Sequence, residues 1–121
     1  MLSKTQIGQV VYLVPYQRFN VAQRRLEFGD YRQAVLLDLK RTKGTIRFLD
    51  TGVESSFQIS KDYENEIKLN SFKSYKPFDS LESMQNEERI VKVKKLLRDF
   101  DAIPAEKLLL IADILGVDAK L

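Results

Sequence analysis

Between residues 7 and 60 the apolar positions recur every second residue, the pattern of strands with one face buried. Val10, Tyr12 and Val14 fall on one face of the first segment and Val11 and Leu13 on the other. In YRQAVLLDLK, alternation sets Val35, Leu37 and Leu39 against Ala34, Leu36 and Asp38. The tetrad Arg41–Gly44 reads as a turn, after which Ile46 and Phe48 share a face. Asp50–Gly52 is a second turn, because Asp and Gly tolerate the backbone angles a tight reversal needs. Phe57 and Ile59 alternate in the next segment, and Ile67 with Leu69 predict a short edge strand. Short strands joined by tight turns curl most simply into a small closed antiparallel barrel, which leaves no open edge to aggregate. Tyr16–Asp30 reads as the one long connection in it, and loops of that size in compact domains are often functional. Asn70–Phe78 reads as an extended tether over the surface.

From Asp79 the period becomes helical. Asp79 and Glu82 stand at capping-box spacing, and Leu81, Met84, Ile90, Val93, Leu97 and Phe100 form an apolar stripe interrupted at Glu87 and Glu88. Arg89, Lys92, Lys95 and Asp99 lie opposite. Pro104 opens a second helix and Gly116 ends it. That helix carries Leu108, Leu109, Leu110, Ile111, Ile114 and Leu115 around most of its circumference, with Glu106, Lys107 and Asp113 as its wet positions. A helix so apolar needs cover on more than one side. The two helices are therefore expected to form a hairpin packed on the barrel or on a second copy of the chain.

Chemistry narrows the function classes more than composition does. With 121 residues, no Cys and no His, the chain lacks the usual general bases, thiol nucleophiles and zinc ligands. An all-carboxylate metal site from Asp99 and Asp101, beside Asp113 or Asp118, is outweighed by a capping role for Asp101 ahead of the second helix. No glycine-rich phosphate loop or nucleophile-elbow string occurs. The expectation is a protein that is not an enzyme and uses neither metal nor cofactor. No run of about 18 apolar residues is present, so no membrane partner is expected. The start, MLSKTQIGQ, has no apolar signal-peptide core, and the absence of Cys fits a cytoplasmic setting.

The formal net charge of +3 is unevenly spread. Residues 1–78 hold 13 Lys or Arg against 8 Asp or Glu, whereas residues 79–121 hold 7 against 9. Two basic clusters lie in the first part. Arg18, Arg24, Arg25 and Arg32 interleave with Tyr16, Phe19 and Phe28, and Lys40, Arg41, Lys43 and Arg47 surround a hairpin turn. Cations beside exposed rings suit a nucleic-acid strand, neutralising phosphates while the rings stack on bases. The same residue types dominate protein-binding hot spots. The plain alternative is that Tyr16, Phe19 and Phe28 plug the barrel ends while the Arg stems cover them. A third cluster, Lys92, Lys94, Lys95 and Arg98, reads as helix stabilisation, with Glu88 and Lys92 at favourable i,i+4 spacing.

Two passages carry a family resemblance. IGQVVYLVP (Ile7–Pro15) resembles the opening strand, and IPAEKLLLIADILGV (Ile103–Val117) the closing helix, of small phage-type β-barrel-domain proteins, a family with no assigned activity. The resemblance implies an SH3-like barrel and a phage or prophage origin, hence a host bacterial cytoplasm. The combined expectation is an α+β chain, with an SH3-like small antiparallel β-barrel and its tether over 1–78 and a C-terminal two-helix element over 79–121. Its expected partner is a nucleic-acid backbone, met by Arg18, Arg24, Arg25, Lys40, Arg41 and Lys43 as phosphate contacts and by Tyr16 and Phe19 as stacking platforms. The alternatives are a host protein, bound as an accessory factor or inhibitor, and self-association through residues 104–115.

Overall fold

A computed structural model describes residues 2–18, 24–60, 66–70, 73–98 and 103–116. The side chains of Arg18 and Arg24 lie outside that description, as do Phe19, Asp99, Asp101 and Asp118. The chain divides into two compact units, Met1–Asn86 and Glu87–Leu121.

The first unit is a seven-stranded antiparallel sheet: β1 (Val10–Arg18), β2 (Arg24–Leu26), β3 (Arg32–Leu39), β4 (Lys43–Phe48), β5 (Glu54–Ile59), β6 (Ile67–Lys68) and β7 (Ser74–Phe78). Its order is β2-β1-β3-β4-β5-β6-β7, and β7 returns to pair with β1, so the hydrogen bonding runs round a ring. Val11, Leu13, Ala34, Leu36, Ile46, Phe48, Phe57, Ile67 and Tyr75 are buried in one apolar cluster. Val14, Phe78 and Met84 form a second, with Tyr12, Leu26 and Phe28 packed against it. The alternation in the first strand is thus real on both faces: Val11 and Leu13 serve one cluster, Val14 and Tyr12 the other.

Three local readings change. First, Asn70–Phe78 is not a surface tether: Ser74–Phe78 forms β7, which joins β6 to β1, and Tyr75 and Phe78 are buried. Lys76 and Pro77 mask the alternation, yet Pro77 stands opposite Leu13, and Tyr75 and Phe78 serve different clusters.

Second, Leu39 does not share a face with Val35 and Leu37. The β3–β4 register slips between Leu36 and Asp38, a bulge that inserts one residue and returns Leu39 to the core. Third, Gly44 is not part of a turn. It is buried in β4 between Leu39 and Phe57, where a Cβ would meet Phe57 Cζ at 2.5 Å and the Asp38 carbonyl oxygen at 2.7 Å. Only a residue without a side chain fits there.

Helix α1 spans Leu81–Arg98. Ser80, one residue after the expected cap, accepts the Ser83 N–H on its Oγ at 3.0 Å, and Asp79 Oδ1 accepts the Ser83 hydroxyl at 2.9 Å. The division between the two units falls inside this helix. In the second unit the expected i,i+4 pair forms, with Lys92 Nζ 3.2 Å from Glu88 Oε1. Helix α2 spans Ala105–Leu115, with Pro104 before it and Gly116 after it at φ 69°. Gly116 closes the helix in the left-handed conformation that glycine adopts without a Cβ penalty. Among the described residues, no helix is long and apolar enough to cross a membrane.

Candidate nucleic-acid interface

Within the segment read as one long connection, Tyr16–Arg18 and Arg24–Leu26 are strand. β1 runs on through Tyr16 and Gln17 to Arg18, and β2 pairs back along it with Tyr16 opposite Leu26, Gln17 opposite Arg25 and Arg18 opposite Arg24. Glu27 N–H donates to the Pro15 carbonyl at 2.9 Å, closing the base of this two-stranded arm. Arg25 is exposed; its Nε donates to Glu27 Oε1 at 3.1 Å and its Nη2 to Gln17 Oε1 at 3.4 Å. An exposed pair of this kind contributes only about 0–1 kcal/mol, so Glu27 is a weak competitor for Arg25. Tyr16 is half-buried. Phe28, read as one of the interleaved rings, packs against the second apolar cluster at 6.4 Å from the Phe78 ring.

Arg32 is likewise a packing residue. Its Nε and Nη2 donate to Asp50 Oδ2 and Oδ1 at 2.9 and 2.8 Å, and its guanidinium lies 3.6 Å from the centre of the Phe48 ring. The planar fork grips the carboxylate with two parallel bonds while the cation covers the ring face. The hydrogen bond from Arg32 is the largest cause holding the Asp50 carboxyl below its ordinary range, aided by the nearby positive charge. Asp50 in turn raises the pKa of Arg32.

The sign of the linkage follows from the depressed carboxylate. The contribution of Asp50 to stability is complete above the unfolded Asp value of about 3.9 and disappears as pH falls through the lower folded value. Asp50→Asn should therefore lower the urea midpoint by a constant amount between about pH 5 and pH 8. The gap from the parent protein should narrow below about pH 4. A gap that did not change on acidification would show that the pair contributes nothing through charge.

The second basic cluster stays together. Lys40 and Arg41 are exposed in the β3–β4 turn, where Lys40 N–H donates to the Lys43 carbonyl at 2.7 Å, and Lys43 is exposed as the first residue of β4. Arg47, from the same sequence cluster, is exposed opposite Glu54. The register adds residues that the sequence does not place here. Lys43 stands opposite Gln58, and Gln58 opposite Lys68, so one row crosses three strands and sets two lysines about 10 Å apart. A depression of about 640 Å³ is lined by Lys43, Ser56, Phe57, Gln58, Lys68, Leu69 and Asn70, with no acidic residue among them. A smaller one of about 180 Å³, on the Lys40 side, includes Asp38, whose Oδ1 accepts the Leu39 N–H at 2.9 Å.

The two basic clusters do not form one patch. Leu13 stands opposite Arg32; Arg18 lies further along β1, and Lys40 lies beyond the far end of β3 in the opposite direction. At about 3.3 Å per residue, the arm and the β3–β4 turn are separated by roughly 40 Å of strand path. No signal in the one-dimensional sequence links Lys68 with Lys43, because their alignment is a product of β5 lying between them. Among the described residues no group of three carboxylates is placed to hold a metal ion. Comparison with protein-family models, with curated proteins and with solved structures finds no match.

Proposed function

We propose that this chain is a non-enzymatic binding module whose sheet contacts a nucleic-acid backbone. One observation carries the reading: Lys43, Gln58 and Lys68 share a single cross-strand row beside Lys40 and Arg41, over a depression with no acidic lining. Ammonium and guanidinium groups on such a face release condensed counterions when they meet phosphates, which drives sequence-independent binding. The arm, with Arg18, Arg24 and Arg25 as cations and Tyr16 and Phe19 as rings, is a second contact region for the same ligand. A duplex of about a dozen base pairs, at about 3.4 Å each, is long enough to reach both regions. The finer fold name belongs to the same proposal. The strand ring supports an SH3-like barrel, and the two end passages support a phage-type origin and a host bacterial cytoplasm.

The test is binding of labelled single- and double-stranded oligonucleotides at 50 and 200 mM salt. With Lys40, Arg41, Lys43 and Lys68 as four phosphate contacts, affinity should fall about 50-fold for single strands and about 150-fold for duplex over that range. Absence of binding at 50 mM would remove the reading.

A second reading has its own observation. In the helical unit Leu109, Leu110, Ile114 and Leu115 are 61–83% exposed, the kind of apolar surface a protein partner covers. A protein-binding accessory factor or inhibitor of a host bacterial protein would show saturable one-to-one binding with little salt dependence. Self-association through residues 104–115 would instead show a mass that rises with concentration in sedimentation.

A further inference from the structure

The 640 Å³ depression is one stretch of a longer feature. It shares Lys43 and Ser56 with the 180 Å³ depression on the Lys40 side. It shares Ser56, Leu69 and Asn70 with another of about 450 Å³, whose lining includes Arg32, Thr51, Ser55 and Lys73. Through these shared residues the three adjoin along β5, from Lys40 at one end to Lys73 at the other, and outline a trough. Its physical origin is the short β6. The described ladder between β5 and β6 consists of Gln58 with Lys68 and Ile59 with Ile67, whereas β4 pairs with β5 from Lys43 to Arg47. Past Lys68 the chain turns away towards β7, and the flank of β5 beside Ser55 and Ser56 opens. Asn70 holds that turn: its Oδ1 accepts the Lys73 N–H at 2.8 Å, and Leu69 N–H donates to the Lys73 carbonyl at 2.9 Å.

We infer that this trough is a track for one phosphodiester strand, gripped by its backbone through Lys43, Lys68 and Lys73. The inference rests on the nucleic-acid reading above and deepens it by naming the path and the part of the ligand that is held. Three ammonium groups come from three separate segments: the start of β4, the end of β6 and the turn before β7. Between them lie hydroxyl and amide side chains, Ser56, Gln58 and Asn70, which suit phosphate oxygens. Arg32, at the far end, is committed to Asp50 and the Phe48 ring and serves as wall. The described rings in the wall, Phe48 and Phe57, are 3% and 2% exposed and belong to the core, so the described walls hold sugar and phosphate without stacking on bases. Among the described residues Asp38 lines the Lys40 end, Asp50 is ion-paired to Arg32, and Glu54 stands on β5 opposite Arg47; none of them lines the central stretch.

The experiment compares the parent chain with Lys68→Gln/Lys73→Gln and with Arg24→Gln/Arg25→Gln, folding of each being checked by its urea midpoint. The probes are a single-stranded oligonucleotide and an abasic deoxyribose-phosphate oligomer of equal length. The trough variant should lose about 1.4 from the slope of log affinity against log salt, since each single-strand contact contributes about 0.7. At 50 mM salt it should bind at least about tenfold more weakly. The abasic oligomer should compete within about threefold of the ordinary one, and amide resonances of Ser56, Gln58 and Asn70 should shift when it is added. If the parent chain binds the oligonucleotide, the trough variant is unaffected and the arm variant loses binding, the nucleic-acid reading survives and the track is wrong. An abasic oligomer that fails to compete overturns backbone capture. If the parent chain binds neither probe, the underlying reading itself falls.

Discussion

Gly44→Val is expected to leave the sheet unit largely unfolded at room temperature. The first added carbon alone would sit 2.5 Å from Phe57 Cζ and 2.7 Å from the Asp38 carbonyl oxygen. The carbonyl belongs to the bulged segment of β3, so relieving that contact means moving a backbone already committed to its ladder. Phe57 is 2% exposed and belongs to the larger apolar cluster, so moving its ring disturbs that packing. Overpacking a tight core by a single carbon costs about 1–3 kcal/mol, and the branched Val adds two more carbons in the same place. The loss is therefore a large part of the roughly 5–15 kcal/mol that holds a domain of this size together. Gly44→Ala should show the milder form, a drop of about 2 kcal/mol in urea unfolding. Combining Gly44→Ala with Phe57→Leu tests the cause, because the two residues face each other across the β4–β5 ladder. The double variant should be more stable than the sum of the single effects predicts, by about 0.5 kcal/mol or more. Strict additivity would mean that the ring is not what the new carbon strikes.

Tyr75→Ala is expected to destabilise the unit by about 3–5 kcal/mol, the usual cost of deleting a buried ring. Tyr75 is 5% exposed, lies in the larger apolar cluster and sits 6.1 Å from the Phe48 ring. It also stands where the ring of strands closes, opposite Pro15 on one side and Ile67 on the other. The measurement decides between two readings of residues 70–78. A surface tether would tolerate the change within about 0.5 kcal/mol, as exposed positions generally do. A closing strand would not.

How far the sequence could be read depended on whether each feature was local. Period-two alternation located the strands around Val11, Leu36, Ile46 and Phe57, because burial of one face depends on each strand's own pleat. Helix α2 was legible to the residue at its end, which Gly116 closes, and to within one residue at its start, where Pro104 is the N-cap and not the first helical residue. The first cap was read one residue early: Asp79 and Ser80 are both capping types, and the backbone placed Ser80 on the Ser83 amide. The bulge after Leu36 was invisible because it is a compromise between two strands, and alternation alone assigned Leu39 to the wrong face.

For the candidate site, the residue types were legible and their grouping was not. Lys40, Arg41 and Lys43 remain neighbours because a turn keeps them so. Arg18, Arg24 and Arg25 form a paired arm whose base is set by the Pro15 carbonyl, at the other end of the strands. Arg32, counted among the basic candidates, was taken up by Asp50, 18 residues away. Lys68 gives no signal until the register aligns it with Lys43, and Lys73 none until the backbone after β6 sets it beside Asn70.

The sequence by itself determined the strands around Val11, Leu36, Ile46 and Phe57 and the two helices, the absence of His and Cys, and the excess of positive charge in residues 1–78. Those properties belong to residues singly or to near neighbours, and no folding is needed to state them. The tertiary structure alone decided that Ser74–Phe78 closes the ring, that a Cβ at Gly44 would strike its neighbours, and that Lys43 and Lys68 line one depression. Each of these depends on which strand lies beside which, and that register is set by burial of both apolar clusters at once.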